Sequence, residues 1–454
     1  MALIKWLYPG MRVKRWFCLF AGGVVAAGFG LALLLNYKFI GMVEGALFGI
    51  VHNATGNYYG WLPTPFGAVL LCLGLGVMFY AMRRIIRSII EAVAPEGTNR
   101  LVDIIYQKRR LNKGPSIVVI GGGTGLSTLL RGLKTGTSNL TAIVTVSDDG
   151  GSSGRLRQDL GMVPPGDLRS CLVALADTEP LMEKLFQHRF AGTGDLAGHS
   201  FGNLFIAAMT QVVGGDVELA LQESSKVLAV RGQVLPASAC AVRLSAEMTD
   251  GSLVHGESNI PRARKSIRRV MLEPADVMAV KSALAAIQNA DVVILGPGSL
   301  YTSVIPNLLV REIADALRQT HALRLYVCNV MTQPGETDRY KASDHVRALF
   351  EHGGPGIIDY VLVNVENVAA CLLDNYAREG ACPVEADIEE LEKLGVKAVT
   401  SRMISETNWV RHDPDRLAKL VLSMMERRRG YLAKRLAPDE NESTESKPQA
   451  LIKA

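Results

Sequence analysis

The sequence lacks the cysteine patterns of two common stabilising devices. Its seven cysteines are odd in number and scattered along the chain, and no C-x-x-C pair is present. Disulfide frameworks and structural zinc sites rely on paired or regularly spaced cysteines, so neither is expected to organise this fold. The pattern instead predicts reduced thiols in a cytoplasmic setting.

Two nucleotide and nucleic-acid signatures are also missing. No Gly-Lys-Ser/Thr follows any glycine-rich stretch, which excludes a Walker phosphate loop. Aromatic residues make up only 6% of the chain, and none interleaves with the basic cluster at residues 262–269. Since single-stranded nucleic acids stack on aromatic side chains, we expect no nucleic-acid partner.

Long uncharged runs are present near the N-terminus. Residues 16–35 and 61–82 carry no Asp, Glu, Lys or Arg over 20 and 22 positions. A helix rises about 1.5 Å per residue, so each run can cross the hydrocarbon core of a bilayer. We predict that residues 1–82 form a membrane anchor with two transmembrane helices. A cleaved signal peptide and buried core helices fit these runs less well.

The charges around these runs predict an orientation. Basic residues flank their outer ends, at positions 12, 14 and 15 and at positions 83, 84 and 87. Basic flanks stay cytoplasmic, so both termini and the soluble domain are expected on the cytoplasmic side of the inner membrane. Residues 1–113 hold 13 Lys/Arg against 4 Asp/Glu, a net of +9, which leaves 36 against 40, a net of −4, for the remainder. The basic excess predicts contact with an anionic lipid bilayer.

Three further segments follow the anchor. Residues 83–113 are expected to form a basic helical linker, because isoleucines recur there at helical spacing beside arginines. Residues 114–436 form the folded domain. Residues 437–454 are rich in Asp, Glu, Ser, Thr and Pro, a composition that predicts a disordered tail.

The folded domain is predicted to be α/β. Short apolar β patterns alternate with helical patterns, at residues 116–120, 141–146, 291–295, 323–327 and 357–363. That alternation predicts a mostly parallel sheet covered by helices on both faces. Residues 233–269 differ, because Asp250-Gly251 is a hairpin turn signal between two β patterns, and they predict an antiparallel β insertion.

The first strand of this domain leads into a glycine-rich loop. Gly121, Gly122, Gly123, Thr124 and Gly125 stand between a predicted strand and a predicted helix. Glycines let the backbone approach an oxyanion, and a helix N-terminus adds unpaired N–H groups and a positive dipole end. The loop is therefore predicted to bind phosphate, with a tight turn that binds nothing as the alternative.

The second strand ends at two adjacent carboxylates, Asp148 and Asp149. Sheets of this class bind ligands at the carboxyl ends of their strands, and two carboxylates beside a phosphate loop could hold Mg²⁺. Arg155, a few residues further on, is a candidate partner for phosphate. The alternative is that one aspartate caps a helix while the other is solvated. Magnesium is the only cofactor that the sequence suggests, and the sequence does not require it.

Four polar residues further along complete the predicted site. His199 and Asn203 open a helix that follows a glycine. Tyr301 and Asn329 each follow the end of a predicted strand. We predict that these side chains contact the ligand, although histidine and tyrosine also pack in protein cores. No residue is assigned a catalytic role.

A series of ordered motifs resembles one family. The motifs are VVIGGGTGLSTLLRGLK, TVSDDGGSSGRLR, PPGDLR, GHSFGNL, LAVRGQVLPAS, GPGSLYTSVIPNLLV and YVCNVMTQPGETD. On these motifs, residues 116–413 resemble the YvcK gluconeogenesis-factor branch of the CofD-like family. The resemblance implies a Rossmann-like three-layer fold. It also implies a UDP-sugar ligand such as UDP-N-acetylglucosamine, and a role in cell shape and peptidoglycan synthesis during gluconeogenic growth. The family's binding positions map onto residues 121–125 and onto Asp148, Asp149, His199, Asn203 and Tyr301.

The resemblance leaves two functions open. One is a non-catalytic regulator that binds a nucleotide sugar. The alternative is a phospholactyl transferase that uses a guanosine diphosphate donor, a deazaflavin acceptor and Mg²⁺. Residues 296–303, Gly-Pro-Gly-Ser-Leu-Tyr-Thr-Ser, depart from the transferase branch's version of this loop, which favours the regulator. A homodimer and contacts with cell-wall synthesis proteins stay open as further partners.

Overall fold

The structure is a computed structural model, and it describes residues 14–34, 63–93, 101–177, 180–406 and 410–436, with a few residues between 41 and 53. The predicted tail at residues 437–454 lies outside the described residues, as do residues 35, 61 and 62 at the ends of the predicted transmembrane helices. The chain divides into two compact units, Met1–Arg109 and Arg110–Ala454.

Two long apolar helices pack against each other in the first unit. Helix α1 spans Lys14–Leu34 and α2 spans Pro63–Val93. Near the start of α1, Trp16 meets Tyr80 edge to face, with ring centroids 5.8 Å apart. Near its end, a Cβ added to Gly30 would lie 2.4 Å from a backbone nitrogen of α2, so the helices approach as closely as glycine allows. Both helices are long and apolar enough to cross a membrane.

The segment predicted as a linker is divided between two helices. Its first part, to Val93, continues α2, and its last part belongs to α3, Leu101–Asn112. Residues 94–100 between them lie outside the described residues.

Seven parallel strands form the central sheet of the second unit. Their spatial order is β10-β9-β8-β7-β1-β2-β3, and each neighbouring pair is parallel. The strands are β1 Ile117–Gly121, β2 Leu140–Val144, β3 Gln233–Pro236, β7 Val292–Leu295, β8 Leu323–Val327, β9 Tyr360–Asn364 and β10 Lys397–Ser401. The predicted α/β class with a parallel sheet is confirmed. Strand β9 begins three residues later than predicted, and the two edge strands β3 and β10 were not predicted as such.

Helices follow the strands. They are α4 Gly123–Leu133, α5 Gly151–Leu160, α6 Pro165–Leu175, α7 Pro180–Gln187, α8 Phe201–Val212, α9 Val217–Val227, α10 Lys281–Gln288, α11 Ile305–Leu308, α12 Arg311–Gln319, α13 Ala342–Gly353, α14 Ala370–Glu379, α15 Ile388–Lys393 and α16 Pro414–Leu436. Every residue of β1, β2 and β7 is buried, which is why these strands are continuous apolar runs in the sequence. The core therefore lies on both faces of the sheet.

The predicted antiparallel insertion is confirmed as a separate three-stranded sheet, but its first residues, 233–236, belong to β3 of the central sheet. It has the order β5-β4-β6, with β4 Arg243–Met248, β5 Leu253–His255 and β6 Ile267–Glu273. Two residues of the basic cluster, Arg268 and Arg269, lie on β6, where both pair with Glu247. Lys265, just before β6, pairs with Asp250, so these three charges belong to ion pairs at the surface.

The strand order creates a crevice at the carboxyl ends of the central strands β1 and β7. From β1 the chain adds β2 and β3 on one side, and it later returns to place β7 on the other side of β1. The connections that leave β1 and β7 thus run in opposite directions across the sheet. Ligands of open α/β sheets bind at such a switch point, outside the carboxyl ends of the strands.

Candidate functional site

The glycine loop forms the floor of the crevice. Strand β1 ends at Gly121, and α4 begins at Gly123, whose φ of +68° lies in the region that favours glycine. The N-cap residue Gly122 supplies no side-chain hydrogen bond to the start of α4. A Cβ added to Gly125 would lie 2.5 Å from the carbonyl oxygen of Pro297, in the loop after β7. Glycine is therefore required at position 125, because the backbone of this loop lies so close to the backbone of the loop after β7.

Three chambers open around this floor. The first, of about 310 Å³, is lined by residues 122–125, 128, 297–299, 303, 329–333, 376 and 410–412. The second, of about 410 Å³, is lined by residues 257, 258, 261, 299, 302, 332–334, 336, 376, 379 and 381. The third, of about 330 Å³, is lined by residues 123, 124, 148, 150–153, 166, 167, 169, 170, 189 and 203. The first chamber shares lining residues with each of the other two.

A C-terminal hairpin covers the first chamber. Its strands are β11 Ile404–Glu406 and β12 Val410–His412, which pair antiparallel. The backbone N–H of Val410 donates to the hydroxyl of Tyr376 on α14, over 3.1 Å. The hairpin and α14 share a small apolar cluster that is distinct from the main core, formed by Val330, Met331, Val368, Leu372, Leu373, Tyr376, Ile404 and Val410. This arrangement brings Tyr376, Arg411 and His412 to the glycine loop.

His412 offers a hydrogen-bond acceptor in the first chamber. Its Nε2 lies 3.2 Å from the carbonyl oxygen of Cys328. A carbonyl only accepts, so Nε2 carries the proton and Nδ1 of the neutral ring is an acceptor. Burial lowers the pKa of His412 to about 4, so the ring is neutral at physiological pH. Among the described residues, Nδ1 has no hydrogen-bond partner.

The third chamber combines a helix N-terminus with charged side chains. Asp167, in the first turn of α6, accepts a hydrogen bond from the amide of Gly123. Burial, followed by the negative charge of Asp148, raises the pKa of Asp167 to about 6. Arg169 and Arg189 line the same chamber, and the guanidinium of Arg189 also donates to the carbonyl of Gly198 over 3.1 Å. The chamber therefore contains arginine side chains that can donate to an anion. It also contains the carboxyl group of Asp167, which competes with an anion for the same donors.

Arg155 lies outside the three chambers. Its side chain is exposed, and its guanidinium donates to the carbonyl oxygen of Ala197 over 2.7 Å. The arginines that line the third chamber are Arg169 and Arg189, and not Arg155, which was predicted as the partner for phosphate.

The predicted magnesium ligands face different neighbours. Asp148 lines the third chamber and accepts the amide of Gly150 over 2.9 Å. Asp149 lines none of the chambers, and its Oδ1 accepts the amide of Ser258 over 3.0 Å. Across the described part of the chain, no three His, Cys, Asp or Glu side chains are placed to hold a metal ion. Magnesium at this pair stays a prediction without a preformed ligand set.

His199 and Asn203 lie together beside the third chamber. The side-chain amide of Asn203 donates to the hydroxyl of Ser152 over 3.1 Å, and that hydroxyl lies 3.0 Å from Nδ1 of His199. Asn203 lines the chamber and its buried Oδ1 has no partner among the described residues, whereas His199 lies behind Ser152. The structure thus gives Asn203 direct access to a ligand and His199 an indirect one.

Tyr301 is a core residue in this structure. Its side chain is 2% exposed, and its hydroxyl lies 2.8 Å from the hydroxyl of Tyr340. It lines none of the three chambers, so the prediction that Tyr301 contacts the ligand is not supported. The alternative that it packs in the core holds, because the turn after β7 directs it inward. Asn329, by contrast, lines the first chamber, and its contact with a ligand stays a prediction.

The second chamber is acidic. Burial, followed by the charges of Asp148 and Asp167, raises the pKa of Glu257 to about 8. Burial also raises the pKa of Glu336 to about 7, against hydrogen bonds from Thr302 that lower it. Neither glutamate was predicted from the sequence as a site residue, although Glu336 lies in the motif YVCNVMTQPGETD that follows β8.

A family comparison agrees with this geometry. The sequence pattern of the family described as 2-phospho-L-lactate transferase CofD matches residues 117–404. The chain belongs to the CofD family. The matched range contains the glycine loop, the insertion and most of the chamber walls of this CofD chain, and it ends before β12.

Relatives of this CofD chain are named for gluconeogenesis and not for the transferase. A Bacillus subtilis protein named gluconeogenesis factor is 51% identical over 316 residues, which is 69% of this chain and 99% of that protein. A Nostoc sp. protein provisionally given the same name is 49% identical over 425 residues, 92% of this chain and 91% of that protein. The Nostoc match therefore extends into the residues before the second unit.

A solved structure shares the fold. The crystal structure of a Bacillus halodurans protein described as a member of the UPF0052 family is 52% identical, with a TM-score of 0.66. It covers 68% of this chain and is itself covered over 99% of its length. At that identity and TM-score, the Bacillus halodurans protein shares the fold of the matched part of this CofD chain.

Proposed function

We propose that this chain binds a nucleoside diphosphate sugar, of the UDP-sugar class exemplified by UDP-N-acetylglucosamine, at the switch point of the sheet. The observation that carries the proposal is the N-terminus of α4, which has no side-chain cap from Gly122 and opens to the first and third chambers. Backbone N–H groups and the helix dipole favour a phosphate at such a position. The first chamber provides space beside this helix N-terminus for the groups attached to a diphosphate, and the third provides donors for its oxygens.

The residues that line each chamber support one orientation of the nucleotide sugar. The third chamber contains Arg169 and Arg189, which pair with phosphate oxygens, and the buried amide of Asn203. The first chamber contains the neutral acceptor of His412 together with Tyr376 and Asn329, and this set suits a base that donates an N–H. Between them lie the amides of the glycine loop. The diphosphate is therefore placed on the loop and the base beneath the C-terminal hairpin.

The role that we propose is regulatory. The gluconeogenesis-factor name of the relatives connects this branch of the family with growth on gluconeogenic carbon sources. A protein that binds a nucleotide sugar without converting it can report the supply of cell-wall precursor, which supports a role in cell shape and peptidoglycan synthesis. Cell-wall synthesis proteins and a second copy of this chain are the partners that such a role would involve.

The membrane is part of the proposal. Helices α1 and α2 have the length and composition of membrane-spanning helices. Basic residues at positions 83, 84 and 87 lie within α2 beyond its apolar part, where they suit a cytoplasmic lipid surface. We place the hairpin in the inner membrane, with both termini and the soluble unit in the cytoplasm. Protease protection in sealed inverted vesicles tests this orientation, since the soluble unit should then be cleaved without detergent.

Calorimetric titration tests the binding function. The full chain in detergent micelles is titrated with UDP-N-acetylglucosamine, UDP-glucose and GDP-mannose. Saturable heat with a UDP-sugar supports the proposal. Silence with all three compounds would remove it.

Transfer of a phospholactyl group is the second candidate function. The matched family is described by that transferase activity, and Asp148 and Asp167 lie together beside the loop. Incubation with a phospholactyl guanosine diphosphate donor, Mg²⁺ and a deazaflavin acceptor should then release GMP. No release at high protein concentration would leave the binding function alone.

A further inference from the structure

Two side chains that line the second chamber each carry a buried acceptor to which no described residue donates. Glu336 is 5% exposed, and its Oε2 accepts no hydrogen bond from any described residue. The buried Oε1 of Gln333 is likewise without a partner in the described part of the chain. Buried polar atoms of folded proteins are nearly always hydrogen-bonded, so two such acceptors in one chamber indicate a ligand that donates.

Both side chains are held in place by their other polar atoms. Oε1 of Glu336 accepts the hydroxyl of Thr302 over 3.1 Å, and the amides of Tyr301 and Thr302 also donate to this carboxyl group. The amide nitrogen of Gln333 donates to the hydroxyl of Ser299 over 2.8 Å. The two free oxygens are therefore fixed in advance, as a binding site requires.

The charge of the lining excludes an anion. Glu257, Glu336 and Glu379 all line the chamber, and the described residues around it include no Lys, Arg or His. A phosphate group would meet three acidic side chains there and no cationic one. The chamber therefore suits a neutral group that carries several hydroxyl or amide donors.

The position of the chamber connects it to the diphosphate. Ser299, Thr332, Gln333 and Tyr376 line both the first and the second chamber. Its volume of about 410 Å³ lies within the range of roughly 300–1,000 Å³ that is typical of small-molecule sites. The two chambers therefore adjoin. A group attached to the far end of a diphosphate on the glycine loop can reach the second chamber from the first.

We propose that the second chamber is the sugar subsite, and that Glu336, Gln333 and Glu257 bind the hydroxyl and amide donors of the pyranose ring. This inference rests on the proposed nucleotide-sugar function. Glu257 and Glu336 hold a proton part of the time near neutral pH, because their surroundings raise the pKa of each carboxyl group. They can thus accept from one hydroxyl and donate to another.

Paired titrations test the subsite. UDP and UDP-N-acetylglucosamine are titrated into the full chain in micelles, with EDTA present, for the wild type and for Glu336→Gln and Glu257→Gln. Each substitution should weaken binding of the sugar nucleotide about tenfold and leave binding of UDP within twofold. Glu392→Gln, an exposed glutamate on α15, is the matched control and should change neither affinity.

The outcomes separate the subsite from the function. If neither compound binds the wild type, the proposed function fails. If both bind and the two variants leave the affinity for the sugar nucleotide unchanged, the subsite fails while the function stands. A sugar preference that appears only when Mg²⁺ replaces EDTA would assign the chamber to a cation and overturn the inference. Because Gln matches Glu in shape, circular dichroism of each variant should match the wild type, and two substitutions keep the test independent of one variant's folding.

Discussion

The carboxylate of Asp167 accepts a hydrogen bond from the backbone amide of Gly123, the first residue of α4. The protein thus supplies its own negative charge at the helix N-terminus where we propose that a diphosphate binds. A carboxylate and a phosphate at this position repel each other and compete for the same positive end of the helix. Binding is therefore coupled to the protonation of Asp167.

The first prediction concerns this coupling. The pKa of Asp167 is raised to about 6, and a bound diphosphate raises it further, so binding takes up a proton. The affinity for UDP-N-acetylglucosamine, whose diphosphate does not titrate in this range, should increase as the pH falls from about 8 to about 6. Asp167→Asn should bind about tenfold more tightly than the wild type at about pH 8 and lose most of the pH dependence.

Calorimetry at several pH values checks this prediction. Asp159→Asn, an exposed aspartate on α5, serves as the control and should retain the wild-type dependence. An Asp167→Asn variant that binds more weakly at every pH would show that the carboxylate holds the ligand and does not compete with it.

The second prediction concerns stability. Glu336 has a pKa of about 7 in the folded protein and an ordinary value near 4 in the unfolded chain. Between these values the folded state holds a proton that the unfolded state has released, so the free energy of unfolding falls as the pH rises through this window. The Glu336→Gln variant should lack this pH-dependent loss in the free energy of unfolding, which is on the order of 3 kcal/mol.

Thermal unfolding of the ligand-free chain, followed by far-UV circular dichroism, measures that effect. The melting temperature of Glu336→Gln should exceed that of the wild type at about pH 8 and approach it at about pH 5. Equal melting temperatures of the two proteins at both pH values would contradict the raised pKa that we assign to the buried carboxyl group of Glu336.

The third prediction compares two arginines on the successive helices α5 and α6. Arg169 lines the third chamber, whereas Arg155 lies outside it and bonds to the carbonyl of Ala197. Arg169→Gln should weaken binding of UDP about tenfold or more, because it removes a charged donor to phosphate. Arg155→Gln is the matched control and should leave the affinity within twofold. The reverse pattern would restore Arg155 to the site and move the diphosphate away from α6.

The fourth prediction concerns Tyr301. Its hydroxyl lies 2.8 Å from the hydroxyl of Tyr340, and the ring is buried. Tyr301→Phe should therefore lower the free energy of unfolding by about 1 kcal/mol and leave nucleotide affinity unchanged. A marked loss of affinity, measured by the same titration, would return Tyr301 to the binding site.

The central part of the fold could be predicted because its strands are buried on both faces. Residues 117–121 and 292–295 are unbroken apolar runs, and their burial makes them so. The edge strands were harder to predict. Strand β3 has only four residues and ends in Pro236, and β10 is partly exposed throughout, so neither forms a long apolar run.

The site was predictable only where neighbouring strand ends create it. The glycine loop and Asp148 follow adjacent strands, so their proximity follows from the parallel order. Tyr376 and His412 reach the loop through a hairpin and a helix from the C-terminal end of the domain, and no local pattern encodes that contact. The direction of a side chain is equally hidden, as Tyr301 and Asp149 show.

A crystal structure of the complex with UDP-N-acetylglucosamine would test the account most directly. We predict density for the diphosphate within hydrogen-bond distance of the amides of residues 123–125, with the base beneath the hairpin that carries His412. Density for the nucleotide elsewhere, with Asp167 still bonded to Gly123, would contradict it.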